Sequence, residues 1–369
     1  MIRSVRRLRL ALPVFLISAA LAACEDSTST LAPADTELAR KVAAMGFDAS
    51  TMVVRGDRVI VEGDIILTKS EILAPRLQYS STNRVSSAYS TISVNYSAIS
   101  SQSSAWSTAV YNALSKWNTV PGANVYLSAG SGGSATITLS FGQCDGGSGV
   151  IACATFPRAD GTPGPIIVID TDYKSRLTSS EKLATVVHEL GHTLGFRHTN
   201  WNNRQCSYGA CSEGEDTVGA VHITGTPTSS TGGQVSDGSS IMNAILAPWN
   251  GFSYFDRVAT RMLFPGGPGP FPSHTLSNGH PVLSWTAMQD AVSYEVYFIH
   301  TDWQPFWSTV TRTYVGTTSG TTYTDNTRTF SQAVPPGECP IGPNNYVIRA
   351  NFSDGTQSGD SYGNGGCYY

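Results

Sequence analysis

The chain has 369 residues, 40% hydrophobic and only 14% charged, with 23 basic against 27 acidic side chains and a formal net charge of −4. That length exceeds what one domain ordinarily uses, so two or three are expected. The acidic balance and the lack of a basic block exclude nucleic acid as a partner.

Residues 1–23 read as a lipoprotein signal peptide. Arg3, Arg6, Arg7 and Arg9 make a basic start, and Leu10 through Ala20 is mostly apolar but short for a membrane span. Leu21-Ala-Ala-Cys24 resembles the bacterial lipobox, where cleavage precedes a cysteine that is then acylated. The alternative is ordinary cleavage with Cys24 left as a free thiol. Acyl chains on Cys24 would hold the protein at a membrane without spanning it, as an exported lipoprotein on the periplasmic or extracellular side. Loss of the signal removes four arginines and no acid, leaving 19 basic against 27 acidic residues, about −8. Residues 24–35, rich in Ser, Thr, Ala and Asp, form a tether. The other six cysteines, Cys144, Cys153, Cys206, Cys211, Cys339 and Cys367, are an even set, which in an exported chain points to three disulfides. Proximity favours 144–153, 206–211 and 339–367, although fifteen pairings are open. A second metal at Cys206 and Cys211 is the alternative, but no partner pair accompanies them.

Residues 36–74 form an N-terminal segment. Thr36–Met45 reads as a short helix and Met52–Leu67 as two strands turning at Gly56-Asp57. Within it, Val61-Glu-Gly-Asp-Ile65 is similar to the F-x-G-D segment of astacin-type propeptides. That resemblance implies that Asp64 is a latency ligand, a carboxylate in the place of the catalytic water. The other reading, which the residues themselves favour, is a bend needed only for its backbone.

Residues 75–264 alternate between strand and helix patterns. Tyr89–Tyr96 reads as a strand, and Ala105–Trp117 as a helix with Trp106, Val110, Leu114 and Trp117 on one face. Asn124–Leu127, Ala135–Phe141, an edge strand within Gly149–Pro157 and Pro165–Asp170 follow as strands. Thr178-Ser-Ser-Glu181 has capping-box spacing, and Leu183, Val187, Leu190 and Leu194 then give one apolar stripe. The pattern is that of a mixed sheet with two long helices behind it.

On that second helix lies His188-Glu-Leu-Gly-His192-Thr-Leu-Gly195-Phe-Arg-His198, which spells H-E-x-x-H-x-x-G-x-x-H. His188 and His192 are four apart, so both imidazoles face one ion from one side of the helix. Gly195 permits the positive φ that ends the helix and brings His198 round as third ligand. Glu189 is placed to act as general base on a water at a single catalytic Zn2+ without being a ligand. Gly191 would let another backbone pack closely. Residues 199–238 show little periodicity and read as a long loop region, and Phe252–Phe264 as a closing helix. There Asp256 and Arg257 read as solvent-facing or as an internal ion pair.

The extended motif resembles that of the metzincin metallopeptidases, whose second mark is a methionine turn under the metal. Ser239-Ser-Ile-Met242 fits it, which makes Met242 the implied floor of the site. No tyrosine stands two residues after Met242, so the tyrosine ligand of some metzincins is not expected. The wording HELGHTLGFRH, the EGDI segment and the lipobox are most similar to the bacterial dual-action HEIGH metallopeptidases, with Leu190 where that name has Ile. The likeness covers roughly residues 36–264. It implies an α+β catalytic domain and an edge strand that holds extended protein or peptide substrate by β-augmentation.

Pro265–Pro272 is a Pro/Gly linker by composition. Residues 273–369 show short alternating strands and resemble a fibronectin type III β-sandwich, without a catalytic cluster. His222, His274, His280 and His300 read as surface residues. The expected function is a lipid-anchored zinc endopeptidase. A surface adhesion lipoprotein with a vestigial peptidase domain is the alternative, and the sequence leaves the oligomeric state open.

Overall fold

A computed structural model describes residues 33–73, 85–199, 204–227, 237–334, 344–361 and 367–368, with short breaks inside these ranges. The signal, Cys24 and Cys339 lie outside the described residues. The N-terminal segment holds α1 (Pro33–Ala44), β1 (Val53–Arg55), β2 (Arg58–Val61), β3 (Ile65–Thr68) and α2 (Lys69–Leu73). Next come β4 (Ile92–Asn95), α3 (Ser97–Ser100), α4 (Ser104–Asn118), β5 (Leu127–Ala129), β6 (Ala135–Gly142), β7 (Ala152–Thr155), β8 (Ile166–Asp170) and α5 (Ser179–Leu194). Two short strand pairs follow, β9 (Arg204–Cys206) with β10 (Gly209–Cys211) and β11 (Gly214–Glu215) with β12 (Gly219–Ala220), and then α6 (Tyr254–Leu263).

One mixed sheet runs β1-β2-β3-β7-β8-β6-β4-β5. β7 and most of β8 are buried on both faces, which is why β8 reads as an apolar run, whereas β4, Ile-Ser-Val-Asn, alternates. The helices pack behind it. Ser103 caps α4 by accepting from the Trp106 amide, and α4 buries Trp106, Val110, Leu114 and Trp117 as the spacing requires. Thr178 and Glu181 make the expected capping box on α5, whose Val187, Leu190 and Leu194 are buried, with Leu183 at the margin. The strand expected at Asn124–Leu127 begins only at Leu127. Both backbone groups of Leu127 are taken by the Asn118 side chain, at 2.7 and 2.8 Å, which fixes where the ladder starts.

The N-terminal segment has three strands, not two. Its second strand breaks at Glu62 and Gly63, both with positive φ (54° and 96°), and the chain reverses into β3. Leu38, Val42, Phe47, Val59, Val61, Ile65, Leu67 and Ile72 form its own apolar core. β3 then pairs in parallel with β7, Ile65 opposite Ala154, so the segment extends the sheet past its former edge. Cys144 and Cys153 form the disulfide that proximity suggested. Cys206 and Cys211 lie on paired strands, but their side chains and that of Cys367 fall outside the described residues.

Beyond α6 lie β13 (Ser273–Ser277), β14 (His280–Ser284), β15 (Ala291–Gln304), β16 (Trp307–Thr318), β17 (Thr322–Thr324), β18 (Ala333–Val334), β19 (Asn344–Phe352) and β20 (Cys367–Tyr368). Sheets β13-β14-β17 and β16-β15-β19 enclose Leu283, Trp285, Tyr294, Val296, Phe298, Tyr346 and Ile348. The Pro/Gly stretch between the two units is tied down. Gly267 donates to Gly122 O at 3.0 Å and accepts from the Gly359 amide at 2.7 Å. A Cβ on Gly267 would meet the backbone of Ala123 at 2.2 Å, so only glycine fits.

Arg257 is neither solvent-facing nor paired with Asp256. It forms a bidentate pair with Asp290 of the sandwich, at 2.7 and 2.9 Å. Arg261, one turn on, reaches Asp354 at 2.7 Å and Asp290 at 3.2 Å, and stacks over Phe352. Breaking a buried pair leaves an uncompensated charge, so Asp290→Asn is expected to destabilise the protein by about 3 kcal/mol. Burial alone would raise the Asp290 and Asp354 carboxyls. The guanidinium groups overcome it at Asp290, and the Thr356 hydroxyl and amide, followed by Arg261, overcome it at Asp354, so both lie below the usual range. A depressed folded value contributes stability that is full above about pH 4 and is lost as pH falls below it. Thermal melts across acid pH should show the wild-type Tm falling there, and a lower, flatter profile for Asp290→Asn. Coincident profiles would count against the clamp.

Candidate metal centre

The motif folds as the helix argument requires. α5 ends at Gly195 in the left-handed region (φ 106°), and the chain turns back to place His198 beside the helix. Nε2 of His188 and Nε2 of His198 are 3.2 Å apart. One ligand atom from each of His188, His192, His198 and Asp64 can be chosen so that all lie within 4.8 Å of one another. That is a spacing a single ion can bridge.

Backbone carbonyls set the histidine rings. His188 Nδ1–H donates to Ile241 O at 2.7 Å, and His192 Nδ1–H donates to Phe196 O at 2.8 Å. A carbonyl only accepts, so in the neutral rings Nδ1 carries the proton and Nε2 presents a lone pair to the centre. Among the described residues, His192 Nε2, Asp64 Oδ1 and Glu189 Oε2 are buried without a hydrogen-bond partner. Buried polar atoms are rarely orphaned, and a cation with its water would satisfy these three together. The donor set therefore fits a metal ion. Burial and the neighbouring His188 push the His192 imidazole down to about 3. Burial, then the Asp64 carboxylate, raises Glu189 well above the usual range.

Asp64 stands at the centre itself, 3.1 Å from His198 Nε2 and 3.7 Å from His192 Nε2. It is held by main chain, its carbonyl accepting from the Ala154 amide at 2.8 Å where β3 joins β7. Sequence reasoning missed its neighbour. The buried Glu62 carboxylate pairs with Arg197 and lies 3.2 Å from His198 Nδ1. Burial would raise that carboxyl, but Arg197 and His198 bring it down to about 2. Phe47, from the same segment, covers the Arg197 guanidinium at 4.4 Å. Only the adjacency to Asp64 in EGDI could have flagged Glu62.

Met242 is buried with its side chain against Gly191, the residue before His192. A Cβ on Gly191 would meet its sulfur at 2.3 Å, so what needs the glycine is a side chain and not, as expected, another backbone. A cavity of about 850 Å³ opens beside His188 and Glu189 and is lined by Val150, Ile151, Thr185 and Leu246. His222 and His280 lie away from the centre and bond to the carbonyls of Thr226 and Arg328.

A sequence profile described as dual-action HEIGH metallo-peptidase matches residues 59–263. No curated protein matches the chain. Among solved structures, myroilysin is 18% identical over 47% of this chain and 92% of its own, with a TM-score of 0.29. High choriolytic enzyme 1, a hatching enzyme zinc-protease from Oryzias latipes (Medaka fish), is 17% identical over 49% and 92%, with a TM-score of 0.30. An Fn3-like protein from Clostridium thermocellum is 22% identical over 26% and 81%, with a TM-score of 0.18.

Proposed function

Because the chain belongs to the dual-action HEIGH metallopeptidase family, we propose that it is a zinc endopeptidase acting on protein or peptide substrates, exported and lipid-anchored at Cys24, and latent in its intact form. The observation that carries the reading is the convergence of His188, His192 and His198, with Glu189 on the same helix and beside the same cavity. Zinc, when bound, supplies Lewis acidity and lowers the pKa of water. The two Nδ1–H donations aim His188 and His192 at the ion. Glu189 accepts the proton of the attacking water and passes it to the leaving amine.

Latency is supported by Asp64 in the cluster and by β3 along β7, the strand where extended substrate would add. The lipobox and basic start support the anchor, and the four polar atoms of one site support one ion per chain. Dialysis against a chelator should abolish cleavage of a generic protein substrate by the activated protein. One equivalent of zinc should restore it, with metal content followed in parallel. Full turnover in the metal-free protein would end this reading.

A further inference from the structure

We infer that Asp256 is a positioning residue for the metal centre, acting through the turn that carries the acceptor for His188. The inference rests on the proposed role of the three histidines as ligands. Asp256 lies on the first turn of α6 and is 7% exposed. Its carboxylate accepts from the Ser240 hydroxyl, from the Ile241 amide at 2.9 Å and from the Ser253 amide at 2.9 Å. Ser240 Oγ accepts in turn from the Met242 amide at 3.0 Å. Three consecutive residues of the turn thus hang on one side chain.

The other side of that turn serves the centre. Ile241 O fixes His188 Nδ1, and Met242 O accepts from the Thr199 amide at 2.9 Å, one residue past His198. The turn therefore sets the ring of the first histidine and the return of the chain at the third. Capping accounts for only one of the three donors at Asp256, the Ser253 amide. The bonds to Ser240 and Ile241 contribute nothing to the helix end. The Ile241 and Ser253 amides can only donate and share one oxygen, while Asn would put an N–H on Ser240 Oγ, reversing the bond that orients that hydroxyl. Groups that orient a metal ligand from behind typically govern 10–100-fold in metal affinity.

The test uses the full chain as wild type, Asp256→Asn, Ser240→Ala and Arg261→Met. Zinc affinity is read by competition with a chromogenic chelator, and Tm by circular dichroism, at a temperature where each variant is folded. Asp256→Asn should weaken zinc binding by about 10–100-fold. Ser240→Ala, which keeps the helix cap, should weaken it by about fivefold. Arg261→Met should lower Tm while leaving zinc affinity unchanged, which separates positioning from general loss of stability. Zinc bound by Asp256→Asn as tightly as by wild type would overturn the inference, with Ser240→Ala deciding if Asp256→Asn does not fold. Failure of the wild type to bind zinc would instead overturn the ligand reading, and the inference with it.

Discussion

Replacing Glu189 with Ala is expected to lower kcat by roughly 10²–10⁴-fold, the span that a positioned general acid–base group contributes, while the protein still binds one zinc. Glu189 is not among the four residues whose ligand atoms converge, so its loss removes the proton carrier and spares the ion. It is buried, and one carboxylate oxygen lacks a partner among the described residues, so no hydrogen bond to them is lost from that atom. The comparison is made in an activated background, with metal content measured on the same samples. A zinc-loaded variant that cleaves as fast as its parent would remove Glu189 from the mechanism and favour a vestigial peptidase domain.

Asp64→Ala should act in the opposite direction and raise turnover by the intact chain. Its carboxylate faces His188, His192 and His198 at 3.1–3.8 Å. A hydrogen bond to a charged group is worth about 1.5–3 kcal/mol, so its removal should shift the population of open centres by about 10–100-fold. The variant leaves β3 on β7, so release of residues up to about Ala74 should give a further gain. Turnover by wild type, Asp64→Ala and the trimmed protein, each saturated with zinc, checks this. Equal values in all three would leave residues 36–74 as a structural subdomain with an acidic bend.

Much of this architecture is legible in local spacing. The capping box at Thr178, the apolar stripe of α5 and the glycine at 195 depend on contacts a few residues apart, and the helix forms with those residues in those places. The near-invisible parts depend on distance in the chain. Glu62 and Arg197 are separated by 135 residues, and only the folded sheet brings them together. Asp256 carries an ordinary capping signal, and nothing in its neighbourhood tells that its carboxylate reaches a turn 15 residues earlier. The same holds for Arg257 and Arg261, which look like surface charges on a helix until Asp290 and Asp354 cover them. The composition of residues 265–272 suggests slack, whereas the glycines allow close backbone approach. Burial, which decides between a solvated charge and a structural one, is a property of the fold and leaves little trace in a single sequence.

The pairing of β3 with β7 has a consequence for how the protein would meet its substrates. Any extended peptide that adds to β7 competes with a strand of the same chain, and a tethered competitor acts at an effective concentration of order millimolar. Free substrate at micromolar levels therefore loses by mass action unless its contacts in the cavity make it bind about a thousandfold more tightly than the strand. Activity of the intact chain should then be first order in the enzyme and rise in proportion to substrate concentration, because the strand recloses faster than substrate is captured. Once the connection between β3 and the rest of the chain is cut, the competitor is diluted into bulk solution. Rebinding then falls with volume, so cleavage makes the change of state irreversible in practice without altering a single contact at the metal.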